Sequence, residues 1–319
     1  MSAVSPVFAR ALALALGAAG MAALTACADD APDRLAGFGD RVETGAQSGA
    51  QTGAGMPAAL SGVDEAPGAA QFSYDGALTQ GGFIRGSAPA GAVLARLDDQ
   101  DILLGEEGAF FAAFDRDSPA RVTLSATLAN GAVISETLEL TAREWQIERV
   151  NVARRKLRDP EAYWRAREPE HSAIVAARAR ETDAAGWQQD FIWPVKGRIS
   201  GRFGRQRIYR GEPGSYHSGI DIAQPTGTPF VAPADGVVVL ARTGFSLEGG
   251  LIIIDHGAGL NSAYLHAAKI HVEEGQSVRQ GEHIGDVGST GRSTGPHLHW
   301  GLKWHDARFD PILLAGPMG

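Results

Sequence analysis

From Lys196 onward the chain repeats one device, a short run of β-branched residues closed by glycine. KGRISGRFG, TPFVAPADGVVVLARTG, GLIIIDHGAGLNSAYLHA and EHIGDVGST all have it. β-Branched side chains are stiff at χ1 and pack well on a pleated surface, and the glycines mark turns between them. No convincing amphipathic helix follows about Asp190, so this region reads as an antiparallel β domain over 190–319. Upstream, GALTQGGFIRGSA, AVLARLDDQDILL, GAFFAAF, RVTLSATLA and AVISETLELTA also alternate. Ala88-Pro89-Ala90-Gly91, Asp98-Asp99, Asp115 to Pro119 and Asn130-Gly131 separate them, and Asn-Gly between alternating runs predicts a hairpin. Strands at this spacing predict a small immunoglobulin-like sandwich over 71–141. It carries no cluster of catalytic residue types and serves as a spacer or a binding module. The fold class is therefore mainly β.

Between the two lies a connector, 142–189, dense in charge of both signs. Asp159-Pro160 fits an N-cap followed by proline at the first helical position, with Glu161 and Arg165 spaced i, i+4 behind it. Pro169 is expected to break or kink that helix, leaving Ser172 to Thr182 as a second short one. The connector reads as partly helical and solvated, because its arginines are interleaved with acids.

The first 70 residues are of another kind. Ala11 to Leu24 is an uncharged apolar run. As a helix it spans ~21 Å at ~1.5 Å per residue, short of the ~30 Å hydrocarbon core, so 1–26 reads as an export signal. Leu24-Thr25-Ala26-Cys27 resembles a bacterial lipobox. The resemblance implies cleavage before Cys27, lipidation of its sulfur and a membrane as partner. With Ala28 rather than Asp behind the cysteine, it implies the periplasmic face of the outer membrane in a Gram-negative source. Residues 27–70 hold one aromatic, Phe38, and cannot bury enough apolar area to offset chain entropy. They read as a disordered tether with a reach of roughly 35–40 Å.

The formal charge of −8 argues against nucleic acid as partner, since phosphate binding needs a basic surface. Cys27 is the one cysteine, which excludes an intramolecular disulfide and every zinc site built on several thiolates. A bound metal must use His, Asp or Glu. Eight of the nine histidines lie between His217 and His305. In Tyr216-His217-Ser218-Gly219-Ile220-Asp221, His and Asp stand four apart; in His297-Leu298-His299 two His stand two apart. Both spacings are even, so in extended chain each pair faces one way. Three nitrogen or oxygen ligands plus an open position is the pattern of catalytic zinc, although ligand type alone leaves other divalent metals open. Either spacing alone equally describes surface histidines on a strand; their conjunction points to a metal. His256 reads as a hydrogen-bonded core residue, and His271, His283 and His305 as exposed.

HSGID at His217, VAPADGVVV at Val231, IIIDHG at Ile252, AYLH at Ala263 and GSTGRSTGPHLHW ending at Trp300 together resemble the lysostaphin-type (LytM-like) zinc endopeptidases of peptidoglycan. The resemblance covers roughly residues 191–314. It implies that His217, Asp221 and His299 bind one Zn2+ per chain and that His266 and His297 are the catalytic histidines, without saying which is the base. Gly301 departs from the pattern, standing where many members have Glu. Tyr209 and Tyr216 are candidates for an extra oxyanion donor. The implied activity is hydrolysis of cross-links between peptidoglycan stem peptides, as a D,D-endopeptidase. The alternative is a non-catalytic or latent regulator that binds peptidoglycan or activates an amidase, with the connector from Arg154 to Arg180 as a plug. Gly288, Gly291 and Gly295 lack the GxxxxGK[ST] pattern of a phosphate loop, so this stretch reads as a tight loop positioning the HxH strand.

Overall fold

The computed structural model describes residues 71–154 and 157–319. The expected signal, Cys27 and the whole of the tether lie outside the described residues. The described residues open with seven strands: β1 (Ser73–Gly76), β2 (Phe83–Ser87), β3 (Ala92–Leu97), β4 (Gln100–Ile102), β5 (Ala109–Ala113), β6 (Arg121–Leu128) and β7 (Val133–Glu139). They form two antiparallel sheets, β1-β2-β5 and β4-β3-β6-β7, the expected sandwich. Asn130-Gly131 turns the β6–β7 hairpin: Gly131 takes φ 82°, and the Asn130 side chain accepts a hydrogen bond from the Ala132 amide at 2.9 Å. Ile84, Phe110 and Leu124 fill the interior.

The sandwich is docked rather than merely strung on. Phe83, Phe111 and Phe309 pack ring against ring at 5.7–6.3 Å. Arg116 lies over Trp145 and Tyr216 at 5.1 and 4.9 Å. Arg143 pairs with buried Asp310 at 2.9 Å. One hydrophobic cluster runs through both units.

The connector departs from expectation twice. It supplies a strand, β8 (Ile147–Val150), and its helix α1 runs unbroken over Pro160–Arg178. Asp159 caps α1 through the Ala162 amide at 2.9 Å, as the sequence indicates. Pro169 removes one main-chain hydrogen bond without ending the helix. Contacts on both sides of it hold the helix down: Arg167 binds Glu170 and Glu248, and Ala173, Ile174 and Ala177 pack on the large sheet. That docking offsets a proline cost of ~3 kcal/mol.

The remaining strands are β9 (Arg198–Gly201), β10 (Gln206–Tyr209), β11 (Glu212–Tyr216), β12 (Ile220–Ala223), β13 (Pro229–Val231), β14 (Gly236–Phe245), β15 (Gly249–Asp255), β16 (Leu260–Leu265), β17 (Lys269–Ile270), β18 (Ser277–Val278), β19 (His283–Asp286), β20 (Leu298–Trp304) and β21 (Ala307–Phe309). A short helix α2 (Pro311–Ala315) ends the chain. The main sheet runs β18-β14-β15-β16-β20-β12-β9, with β21 beside β20. Smaller sheets, β11-β10-β8 and β13-β19-β17, flank it. Residues opposite one another in antiparallel strands share a face. Ile220, Trp300, Tyr264 and Ile252 are linked in this way and point into the main core. The other face carries Asp221, His299 and Leu265, and farther along it Ala263, Ile253 and Leu240, where α1 lies.

Candidate active site

Asp221 on β12 stands directly opposite His299 on β20. His217 joins them from just before β12. His217 Nε2, His299 Nδ1 and Asp221 Oδ1 form a triangle with sides of 2.9 to 3.0 Å. The His217 Nδ1 lies 3.0 Å from the Arg202 carbonyl oxygen. A carbonyl only accepts, so Nδ1 carries the proton and Nε2 of the neutral ring turns its lone pair inward. Asp221 Oδ2 is buried without a hydrogen-bond partner. It lies where a side chain at 201 would be: a Cβ on Gly201 would come within 2.2 Å of it. Converging lone pairs, an orphaned buried carboxylate oxygen and a carbonyl fixing the tautomer fit a divalent metal better than a closed hydrogen-bond network. The donor set fits zinc.

Burial pushes the Asp221 carboxyl up, but His217 and His299 outweigh it and hold it well below the usual carboxylate range. His299 is pushed down, chiefly by burial.

Two further histidines border the triangle. His297 shares a face with His299 across buried Leu298, and its Nε2 lies 3.6 Å from Asp221 Oδ1. Its Nδ1 donates to the Gly295 carbonyl at 2.8 Å. Leu265 is on the site face, so strand alternation would carry His266 to the core face. Instead β16 ends at Leu265, and His266 takes φ 68°, an uncommon left-handed conformation for a residue other than glycine. Its ring then lies 4.8 Å from that of His297. The His266 amide donates to the Glu248 carbonyl, and its Nδ1 to the Thr290 carbonyl, each at 2.8 Å. Burial, then His299 and His297, lower the His266 pKa to about 4. The five residues thus meet at one place, none more than 7% exposed.

The loop from Gly288 to Gly295 positions the HxH strand, as expected: Gly288 bridges His297, and Thr290 and Gly295 hold the two flanking imidazoles. The two tyrosines make their hydroxyl contacts with arginines. The Tyr216 hydroxyl bonds Arg308 within reach of Asp115, and burial pushes it up to about 12. The reason is alternation, since its strand neighbour His217 points the other way. Tyr209 bonds Arg207, beside Glu148. Neither contact brings a hydroxyl to the histidines. His256 is the buried, bonded residue expected, with Asp235 O and Ser262 Oγ each at 2.7 Å. His305, expected to be exposed, is half-buried against Gly259. At Gly301 a Cβ would meet nothing closer than 3.4 Å.

Sequence reasoning missed Arg202, Arg167 and Glu248. A main-chain carbonyl leaves no trace in residue type, and Arg167 lies 81 residues from Glu248.

The model of peptidase family M23 matches residues 215–311, a span that holds all five residues. The carboxy-terminal domain belongs to peptidase family M23. Over 116 residues the chain is 44% identical to the peptidoglycan DD-endopeptidase ShyA of Vibrio cholerae, covering 34% of this chain and 26% of that one. Over 126 residues it is 40% identical to an uncharacterized metalloprotease of Buchnera aphidicola, covering 39% of this chain and 33% of that one. The chain thus spans a quarter to a third of these relatives' length. A crystal structure described as an M23 peptidase from Pseudomonas aeruginosa superposes with a TM-score of 0.58 at 27% identity. It covers 76% of this chain and 96% of its own, so the likeness reaches beyond the M23 domain.

Proposed function

We propose that this protein is a zinc-dependent endopeptidase that hydrolyses peptide cross-links of bacterial peptidoglycan, with D,D-endopeptidase specificity. The observation that carries the reading is the His217–Asp221–His299 triangle with His266 and His297 beside it. His217, Asp221 and His299 hold one Zn2+, which supplies Lewis acidity and lowers the pKa of water to near ~7. The remaining work falls to the protein. His266 and His297 each give Nδ1 to a carbonyl and leave Nε2 for the site, and one of them takes the proton of the attacking water while the other orients it. The Thr290 and Gly295 carbonyls fix both tautomers. Buried surroundings exclude bulk water and strengthen these interactions. The ShyA likeness supports the substrate class. The lipobox at Cys27 supports a lipid-anchored position in the cell envelope, on the periplasmic face of the outer membrane.

The test is digestion of purified peptidoglycan with zinc or with a chelator, products identified by mass. Zinc-dependent release of uncross-linked stem peptides is expected, and its loss in His217→Ala and His297→Ala. Undiminished hydrolysis in those variants refutes the assignment.

Latency of the same activity is the second reading. It is favoured by the burial of all five residues and by α1 lying on their face of the sheet. It predicts that loosening α1 raises the rate.

A further inference from the structure

A second group of metal-ligating side chains lies away from this site. His271 follows β17, and His283 and Asp286 begin and end β19, the strand paired with β17. His271 Nε2 lies 2.9 Å from Asp286 Oδ2, and His283 Nε2 lies 2.8 Å from Oδ1. The two imidazoles are 4.4 Å apart, centre to centre. The side chains of His271 and His283 are 27% and 43% exposed and that of Asp286 18%, so solvent ions reach all three.

We propose that His271, His283 and Asp286 form a second site for a divalent transition metal on the outer surface of the M23 domain, with zinc as the ion of ordinary availability. His271 and His283 share one carboxylate, and the Gly285 carbonyl oxygen lies 3.0 Å from His283 Nε2, so two ring nitrogens and several oxygens converge on one point. The three donor atoms lie within 4.8 Å of one another. Two nitrogens on one zinc, each at ~2.0–2.1 Å, stand at most ~4.2 Å apart. Side-chain rotation of the exposed His283 closes the difference. The backbone is already fixed, because the His271 amide donates to the Ile284 carbonyl at 2.9 Å. Two imidazoles and a carboxylate leave positions for water, the donor set of zinc rather than of calcium or magnesium.

The test is zinc stoichiometry in the metal-stripped chain, titrated against a chromophoric chelator, compared with the His271→Asn/His283→Asn double variant. The parent is expected to bind one equivalent more than the double variant, with peptidoglycan hydrolysis equal in the two. Equal zinc counts overturn the proposal. The difference between the counts reports this site alone. Loss of hydrolysis in His217→Ala reports the other, so either reading can fail without the other.

Discussion

The buried guanidinium of Arg167 is the strongest single tie between α1 and the histidine cluster. Its side chain is 6% exposed and it binds both Glu170 and Glu248, whose side chains are 23% and 16% exposed. Removing one partner of a buried pair leaves the other as an uncompensated charge and costs ~3–5 kcal/mol. Glu170 keeps the Ser246 amide and hydroxyl, so Arg167→Ala falls at the lower end, about 3 kcal/mol. With a urea m value of ~3 kcal/mol per molar, that is a midpoint shift of ~1 M. The damage should also reach catalysis, because the Glu248 carbonyl anchors the amide of His266 in its left-handed conformation. Urea unfolding gives the first quantity and the rate on purified peptidoglycan the second. In Arg167→Met/Glu248→Gln only Glu170 keeps its charge, held by the Ser246 amide and hydroxyl, and most of the lost stability should return. An unfolding free energy of Arg167→Ala within ~1 kcal/mol of the parent refutes the reasoning, as does a double variant no more stable than the single one. A rate that rises instead of falling identifies α1 as a restraint and selects the latent reading.

Three other outcomes follow from named atoms. Burial lowers His256 to about 4, below its unfolded value, so the unfolded chain takes up a proton first as pH falls. The associated stability is intact above pH ~6.5 and lost towards pH ~4, amounting to ~3 kcal/mol; a parent-minus-His256→Gln difference that stays flat between these limits contradicts it. Gly201→Ala pushes a methyl to within 2.2 Å of Asp221 Oδ2 and should weaken metal binding by ~10-fold or more, measured by chelator competition; unchanged affinity removes the cradle argument. Tyr216→Phe should leave peptidoglycan hydrolysis intact and cost ~1 kcal/mol in urea, because its hydroxyl serves Arg308 rather than the site; a large loss of rate would restore it as an oxyanion donor.

Four of the five site positions, His217, Asp221, His297 and His299, were legible because their signal is local, whereas His266 came only from the family resemblance, since its left-handed backbone overrides strand alternation. Even spacing in extended chain puts His217 with Asp221 and His297 with His299 on one side, and the Asp221–His299 register then closes the group. The sandwich was legible for the same reason, through alternation and the Asn130-Gly131 turn. What escaped depends on distant partners. Pro169 signals a break, and the contacts of Arg167 together with the packing of α1 against β14 to β16 keep the helix whole. Tyr216 is adjacent to His217 in sequence, yet alternation sends it to the opposite side. The mixed charges of the connector read as solvated, whereas Arg167 is buried because its acids arrive partly from β15's approach at Glu248.

These long-range contacts bear on what the matched segment can do alone. Residues 215–311 contain every proposed ligand, but the carbonyl that fixes the tautomer of His217 belongs to Arg202, upstream of the segment. So does the arginine that secures Glu248 beneath His266. Arg205 and Arg207 meet Glu148 on β8, which pairs with β10 and so ties the connector to the strand leading into His217. On the far side, Phe309 packs into the sandwich through Phe83 and Phe111. A fragment begun near Asp190 would keep the five residues but lose β8, α1 and two of the three rings of that aromatic cluster. Its rate would therefore mix relief of a restraint with loss of support. Point substitution at Arg167, with its paired reversal at Glu248, separates the two effects within the intact chain.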